Sequence, residues 1–296
     1  MSDRSTPQTR STPQARGPRQ DRNPLLTRSH LLLTAVMLPI AALMAVPFYY
    51  IVVNTFKTQA ETANAPLALP TTLNLDNYVT VFQTTPLLQS FGNTLYVTVL
   101  SIALMLLVGS LAAFGMLIAR GRVAVVFGVV LVIAFLVPGQ ATLIPLYRML
   151  TTFRLVDDLN GLIVLYSAGA IFCYFLILGY MKTVPTEIIE AARIDGAGSF
   201  RIYWSLILPL IRPILVTVGV FQTMWVWNDF ITPNVFLSSP AKQTLVLQVY
   251  SAVGQFTTNW PVFMTLSVIV LLPMLVFFIA MQRHIVSGLV QGSVKG

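Results

Sequence analysis

Residues 182–212 read KTVPTEIIEAARIDGAGSFRIYWSLILPLIR. The stretch is too long for a turn and too polar to cross a bilayer, yet apolar runs flank it on both sides. Pro185 supplies the fixed φ that suits a first helical turn, and Thr186–Ile194 contains good helix formers and no glycine. Glu190 and Arg193 are three apart, a spacing that predicts a pair on one helix face. Ile188, Ile189, Ala192 and Ile194 give that helix an apolar side. Asp195-Gly196 stops it, because glycine adopts the left-handed conformation of a C-terminal cap without a Cβ penalty. Gly198 and Ser199 make a second break, with Ser199 placed to cap the next helical stretch. Pro209 and Pro213 mark the start of the next apolar run. The expected product is a short helix, a sharp glycine turn and a second helical stretch at a membrane face. An amphipathic helix lying on lipid would carry more Lys and Arg on its polar side. Here Glu187, Glu190 and Asp195 outnumber Arg193, and Ala191 and Ala192 are small enough for close approach, which favours docking to another protein.

Outward from this stretch, six apolar runs are long enough to cross ~30 Å of hydrocarbon. They cover roughly residues 31–53, 93–119, 123–147, 159–181, 211–231 and 262–281. Backbone amides in lipid must be satisfied within the segment, so the runs are helices; the alternation of a membrane barrel is absent. The predicted fold is all-α, a polytopic membrane protein with six transmembrane helices and a short cytoplasmic helix in the 182–212 loop. The membrane-spanning body covers residues 31–284, preceded by a tail of residues 1–30 rich in Ser, Thr, Pro, Gln and Arg, and followed by a short tail of residues 285–296. The first tail has too little apolar area to offset its ordering entropy and is expected to be disordered. An organellar targeting segment is the less favoured reading of its arginines. Composition agrees with the fold: of 296 residues 56% are apolar and 9% charged, against roughly 25% charged in a soluble domain. The single cysteine, Cys173, excludes an internal disulfide.

With the N-terminus inside, 14 of the 18 lysines and arginines fall on cytoplasmic segments, as the positive-inside rule requires. Both termini are therefore expected in the cytoplasm, and the net positive charge is explained by topology without nucleic acid as a partner. The span centres carry no Asp, Glu, Lys, Arg or His, which weakens ion-coupled carrier readings. They do carry neutral hydrogen-bonding groups: Gln140, Tyr166, Tyr174, Gln222 and Asn228. Each of these is either an interhelical hydrogen bond or a contact to a hydroxyl-rich solute. Amide hydrogen bonds paired with aromatic faces suit sugars, so Tyr174, Gln222, Trp225 and Asn228 are the candidate substrate-pathway residues. The polar segment of about residues 232–261 is either a contact for a delivery protein or a simple connection. No phosphate loop and no nucleophile or metal-ligand spacing stands out. The chain is not expected to be an enzyme or to bind a cofactor or metal, so energy must come from a partner.

Several of these stretches resemble a known pattern. Glu190-Ala191-Ala192, Asp195-Gly196-Ala197, Tyr203, Leu206, Leu208-Pro209 and Pro213 look like the EAA loop of ABC importer permeases. Other segments resemble the second permease subunit of maltose-type carbohydrate importers: Asn54-Thr55-Phe56-Lys57, Gly92-Asn93-Thr94-Leu95, Ile144-Pro145-Leu146-Tyr147, Trp227-Asn228-Asp229-Phe230, and the ending from Gln282 to Gly296. Threonine stands where the family tends to have serine in two of them, Ser293 replaces a common alanine, and the Arg-rich tail has no counterpart. The resemblance implies a multi-pass subunit of a bacterial or archaeal inner membrane. It implies a second permease subunit, usually a heterodimer partner, two ATPase subunits that hold ATP and Mg, and a solute-binding protein that delivers a di- or oligosaccharide. Glu190, Ala191, Ala192, Asp195 and Gly196 would then be the ATPase-coupling residues. A permease for another solute class, such as a glycerol phosphate or amino acid, is the nearest alternative. A stand-alone channel or membrane enzyme is further off, since neither a filter nor a reactive constellation is evident.

Overall fold

The computed structural model describes the backbone of residues 24–119, 121–255 and 259–293, and side chains within those limits over residues 32–253 and 259–283. The chain divides into two units at residues 49 and 50. In the first, helix α1 (Pro24–Asn54) shows exposed side chains from Leu32 to Tyr49. The helix already includes residues 24–30, so the expected tail boundary at residue 30 moves back; residues before 24 lie outside the described part.

The second unit begins at Tyr50. After α1 come α2 (Gln59–Asn64), α3 (Asp76–Thr84), α4 (Leu87–Ile118), α5 (Arg122–Leu136), α6 (Leu143–Thr152), α7 (Leu159–Ser167), α8 (Ala170–Met181), α9 (Thr186–Ile194), α10 (Ser199–Ile202), α11 (Leu208–Leu210), α12 (Arg212–Asn228), α13 (Ile231–Phe236), α14 (Leu245–Gln255) and α15 (Trp260–Ser293). The described residues contain no strand. Helix α4, at 32 residues, is about 48 Å long by helical rise and is the post on which α7, α8 and α12 pack. Gly109 lets α8 close on it: a Cβ there would sit 2.7 Å from the Cys173 Cβ and 2.9 Å from the Ala170 carbonyl oxygen. The core along this seam includes Met105, Ala113, Cys173, Ile177 and Met181. A smaller core joins Trp227 of α12 to Leu266 and Val270 of α15.

Six straight spans do not appear. Four segments are long and apolar enough to cross by themselves, and six result when two bent pairs each count as one. The third predicted run is not one helix. Pro138 has no amide hydrogen to continue the ladder, a single 3₁₀ turn follows at Gly139–Thr142, and the chain turns by 91°. The fifth span starts after a second bend, of 74°, where Pro213 can neither donate to the Pro209 carbonyl nor sit beside it without a clash. One turn earlier Pro209 cannot donate to Ser205, and the chain answers with a π-helical turn at Tyr203–Ile207 in which the Leu208 amide reaches back to the Tyr203 carbonyl. The two prolines thus account for both irregularities. Beyond α12, the segment predicted as a polar loop over 232–261 is largely helical. The expected C-terminal tail from residue 285 continues α15 to Ser293, and the last three residues lie outside the described part.

Candidate functional site

At one end of the bundle the chain from Lys182 to Ile211 forms an elbow. Helix α9 carries Glu187 in its first turn and Arg193 in its last, each at the end of the helix dipole that favours it. Its termination explains the spacing E-A-A-x-x-D-G-A. The Ala197 amide bonds the Ala192 carbonyl at 2.9 Å, and the Gly196 amide bonds the Arg193 carbonyl at 3.0 Å. These two bonds make a Schellman cap. Gly196 occupies its left-handed position with φ of 80°, and Ala197 packs against the main core. Gly198, not Ser199, precedes α10, and no side chain caps that helix.

The two alanines part company. Ala192 and Ile189 are buried against the core, while Glu190, Ala191, Asp195 and Gly196 are exposed. The outward surface also presents Ile194 and Phe200, which are 86% and 76% exposed. The expected Glu190–Arg193 pair is not formed: among the described residues the ion pair is Lys242–Asp157. Both charges on α9 therefore remain available to a partner. The elbow is tied to α4 by one buried hydrogen bond, Ser110 Oγ to Tyr203 Oη at 2.8 Å, beside the ring contact of Tyr203 with Phe114.

The four predicted pathway residues are not brought together. Tyr174 and Gln222 are buried among helices. Gln222 Nε2 lies 3.1 Å from Met105 Sδ and 3.4 Å from the Gly169 carbonyl, so it serves helix contact. Asn228 is exposed, and its amide donates to the Met224 carbonyl of its own helix at 2.8 Å. Trp225 alone opens onto a polar cavity, of about 230 Å³, where the bend after α5 meets α7 and the end of α12. Gln140, Tyr166 and Asp229 line it too. The sequence marks Tyr166 only as a neutral polar group, and Asp229 only as part of the Trp227-Asn228-Asp229-Phe230 match.

At the opposite end of the span formed by α7 and α8, side chains tie the connections down. Lys57 is fully buried, and its Nζ donates to the Ala65 carbonyl at 2.8 Å and to the Pro66 carbonyl at 3.3 Å. This places its charge at the C-terminal end of α2, where a cation is favoured. Asn77 donates to the Thr55 and Lys57 carbonyls at 2.8 and 2.9 Å. Asn93 reaches the Ala241 and Gln243 carbonyls at 2.9 and 3.1 Å, and Thr94 accepts the Leu245 amide at 2.9 Å. Asp157 accepts the Ser238 and Ser239 amides at 3.0 and 2.9 Å, with the Ser239 hydroxyl and Lys242 beside it. The Ser239 hydroxyl, then the Ser239 and Ser238 amides, then the Lys242 charge hold the Asp157 carboxyl well below the usual carboxylate range. The motif stretches at 54–57 and 92–95 are therefore clamps for neighbouring backbone.

The sequence and the overall fold match known proteins. Residues 105–291 fit the model of the "Binding-protein-dependent transport system inner membrane component" family. The chain is 36% identical over 257 residues to a probable starch degradation products transport system permease of Thermoanaerobacterium thermosulfurigenes, covering 86% of this chain and 93% of the relative. It is 29% identical over 263 residues to the melibiose/raffinose/stachyose import permease of Bacillus subtilis, covering 87% and 95%. Among solved structures, a bacterial ABC transporter involved in import of the acidic polysaccharide alginate superposes with a TM-score of 0.75 at 24% identity, over 90% of this chain and 99% of the other. The chain belongs to the binding-protein-dependent transport system inner membrane component family. It is a multi-pass permease of an ABC importer.

Proposed function

We propose that the chain forms half of the translocation pathway for a neutral di- or oligosaccharide, and that it draws its energy from ATPase subunits docked on the elbow. The observation that carries the coupling role is the Schellman-capped helix α9. Its inner face is fixed to the core by Ile189 and Ala192, while Glu190, Ala191, Asp195 and Gly196 face outward. A partner that grips the outward face moves the helix and the core together, because the same nine-residue helix belongs to both. Exposed Ile194 and Phe200 beside acidic groups suit an apolar cleft with a basic rim. The sugar reading is supported by relatives named for transport of starch products, of raffinose-type sugars and, in Streptomyces coelicolor, of diacetylchitobiose. A related structure was solved with a periplasmic protein bound to an alginate pentasaccharide, which supports a binding protein as the delivery partner. The 14-to-4 basic asymmetry supports a cytoplasmic position for the elbow and both termini.

In this scheme ATP and Mg are held by the partners, and the permease does no chemistry. ATP binding biases an equilibrium between inward- and outward-open states that substrate alone shifts only by its differential affinity. A tagged chain purified from its native membrane is expected to bring down a second permease and an ATPase. Reconstitution of the single chain in vesicles is expected to give no accumulation of maltotriose or raffinose. Uphill uptake by the chain alone, or its isolation as a complete unit without an ATPase, would overturn the reading.

A further inference from the structure

The cavity behind the bend after α5 is built differently from the other hollows of the molecule. Two larger cavities, of about 410 and 350 Å³, are lined mostly by apolar groups around Trp227, and a third, of about 420 Å³, wholly by apolar groups of α4 and α5. The cavity of about 230 Å³ instead collects Gly139, Gln140, Tyr166, Trp225, Asp229 and Thr232. From these residues we infer that this cavity is a subsite for a single uncharged sugar ring of the transported chain, held by Trp225, Gln140 and Asp229 and closed to uronic acids. The inference rests on the carbohydrate reading above and adds to it the residues and the charge class.

Each side chain has something left to offer a ligand. The Trp225 ring is 51% exposed. It stands edge-on to buried Tyr166, with centroids 5.6 Å apart and planes at 80°, so one ring fixes the other while an indole face stays open. An apolar plate of this kind takes the C–H face of a pyranose. Gln140 sits on the 3₁₀ turn of the bend and is exposed. Its amide, with both donors and acceptor, is positioned at the cavity wall. Asp229 is oriented by neutral donors only: Tyr166 Oη at 2.9 Å on Oδ2, and the Ile231 and Thr232 amides at 2.9 and 3.4 Å on Oδ1. Among the described residues no Lys, Arg or His lies within 4.0 Å of its carboxylate. A carboxylate held this way accepts sugar hydroxyls and repels a sugar carboxylate. Tyr166 is a positioning residue: it orients both Trp225 and Asp229. The volume is below the ~300–1,000 Å³ of pockets that enclose a whole drug-sized ligand, which fits one ring of a longer chain. Tryptophan with an amide and a carboxylate is a carbohydrate-binding combination that the three apolar cavities lack.

The test uses the complete transporter in its membrane, with maltotriose and raffinose as neutral probes and a mannuronate trisaccharide as the acidic one. The wild type is expected to import a neutral probe. Gln140→Ala and Trp225→Ala should each lower Vmax/KM for it by about tenfold or more, a change worth one decade of the relevant equilibrium. Trp225→Phe should restore most of the loss. Affinity of the isolated binding protein and the amount of assembled transporter should not change. In saturation-transfer NMR on the purified assembly without the binding protein, ring protons of the neutral probe should receive signal and the mannuronate should not, until Asp229→Asn is introduced. Tyr166→Phe should weaken the neutral signal while preserving assembly. If wild-type transporter imports a neutral probe and the Gln140 and Trp225 variants match it within about twofold, the subsite is wrong and the carbohydrate reading stands. Equal NMR signal from the mannuronate on the wild type overturns the charge class. Import of none of the three probes overturns the carbohydrate reading itself, and the subsite falls with it.

Discussion

The elbow and the clamped end of the bundle are held by opposite means. At the clamped end, Lys57, Asn77, Asn93, Thr94 and Asp157 each bond backbone groups of a neighbouring segment. At the elbow, the tie to the bundle is an apolar face, Ile189, Ala192, Ile202, Tyr203 and Ile207, with the single Ser110–Tyr203 hydrogen bond. Hydrogen bonds to fixed carbonyls resist sliding because they are directional. Apolar contact is not directional, so packed helices can rock on it. Directional ties thus concentrate at the clamped end, and apolar packing seats the elbow.

The largest effect should come from the elbow. Gly196→Val places a β-branched residue at φ of 80°, a conformation that costs such residues about 1–3 kcal/mol. The cap should open, and uptake by the assembled transporter should fall by about tenfold or more, while membrane insertion and assembly are retained. Normal uptake in that variant would dissolve the contrast. At the clamped end the expected loss is of stability. Asn77→Leu removes the donor of two buried carbonyls and should cost about 1–3 kcal/mol, read as a lower melting temperature in detergent. Lys57→Met refines this: the Ala65 carbonyl keeps the Ala68 amide at 3.3 Å and the Pro66 carbonyl keeps Asn54 at 2.9 Å, so its effect should be smaller than that of Asn77→Leu. The smallest effect is Asp157→Asn. Its carboxyl is held low in the folded state, so its contribution is complete above the unfolded value of about 4 and is lost as pH falls through the folded value. The Asn variant should melt slightly below the wild type at pH 7, by under ~1 kcal/mol in stability terms for a partly exposed surface pair, and the gap should narrow below about pH 4.

Much of this architecture is legible in the residues. Pro185, Asp195-Gly196 and the proline pair 209/213 carry strong backbone rules, and each acts where those rules place it. The break of the third span is hidden because hydropathy averages over Pro138-Gly139, which sit inside an apolar run. Gln140 stands in the sequence as one neutral polar group among five, with nothing to single it out as a cavity residue. Gln222 and Tyr174 lie buried between helices, a placement the sequence leaves open because an amide or phenol looks alike in sequence whether it faces a neighbour helix or a solute. Only the close approach at Gly109 and Gly169, set by tertiary contact, turns Gln222 inward against Met105. The unmade Glu190–Arg193 pair shows that i,i+3 spacing permits a contact worth only a few tenths of a kcal/mol and cannot compel it.

Cys173 is the chain's one cysteine, and it is fully shielded in the seam opposite Gly109. Thiol-directed spin labels and fluorophores should therefore pass it by. Reporter sites at Ala191, Phe200 or Gln140 can be introduced into the natural sequence, and distances across the working cycle read without first engineering a background free of sulfhydryls.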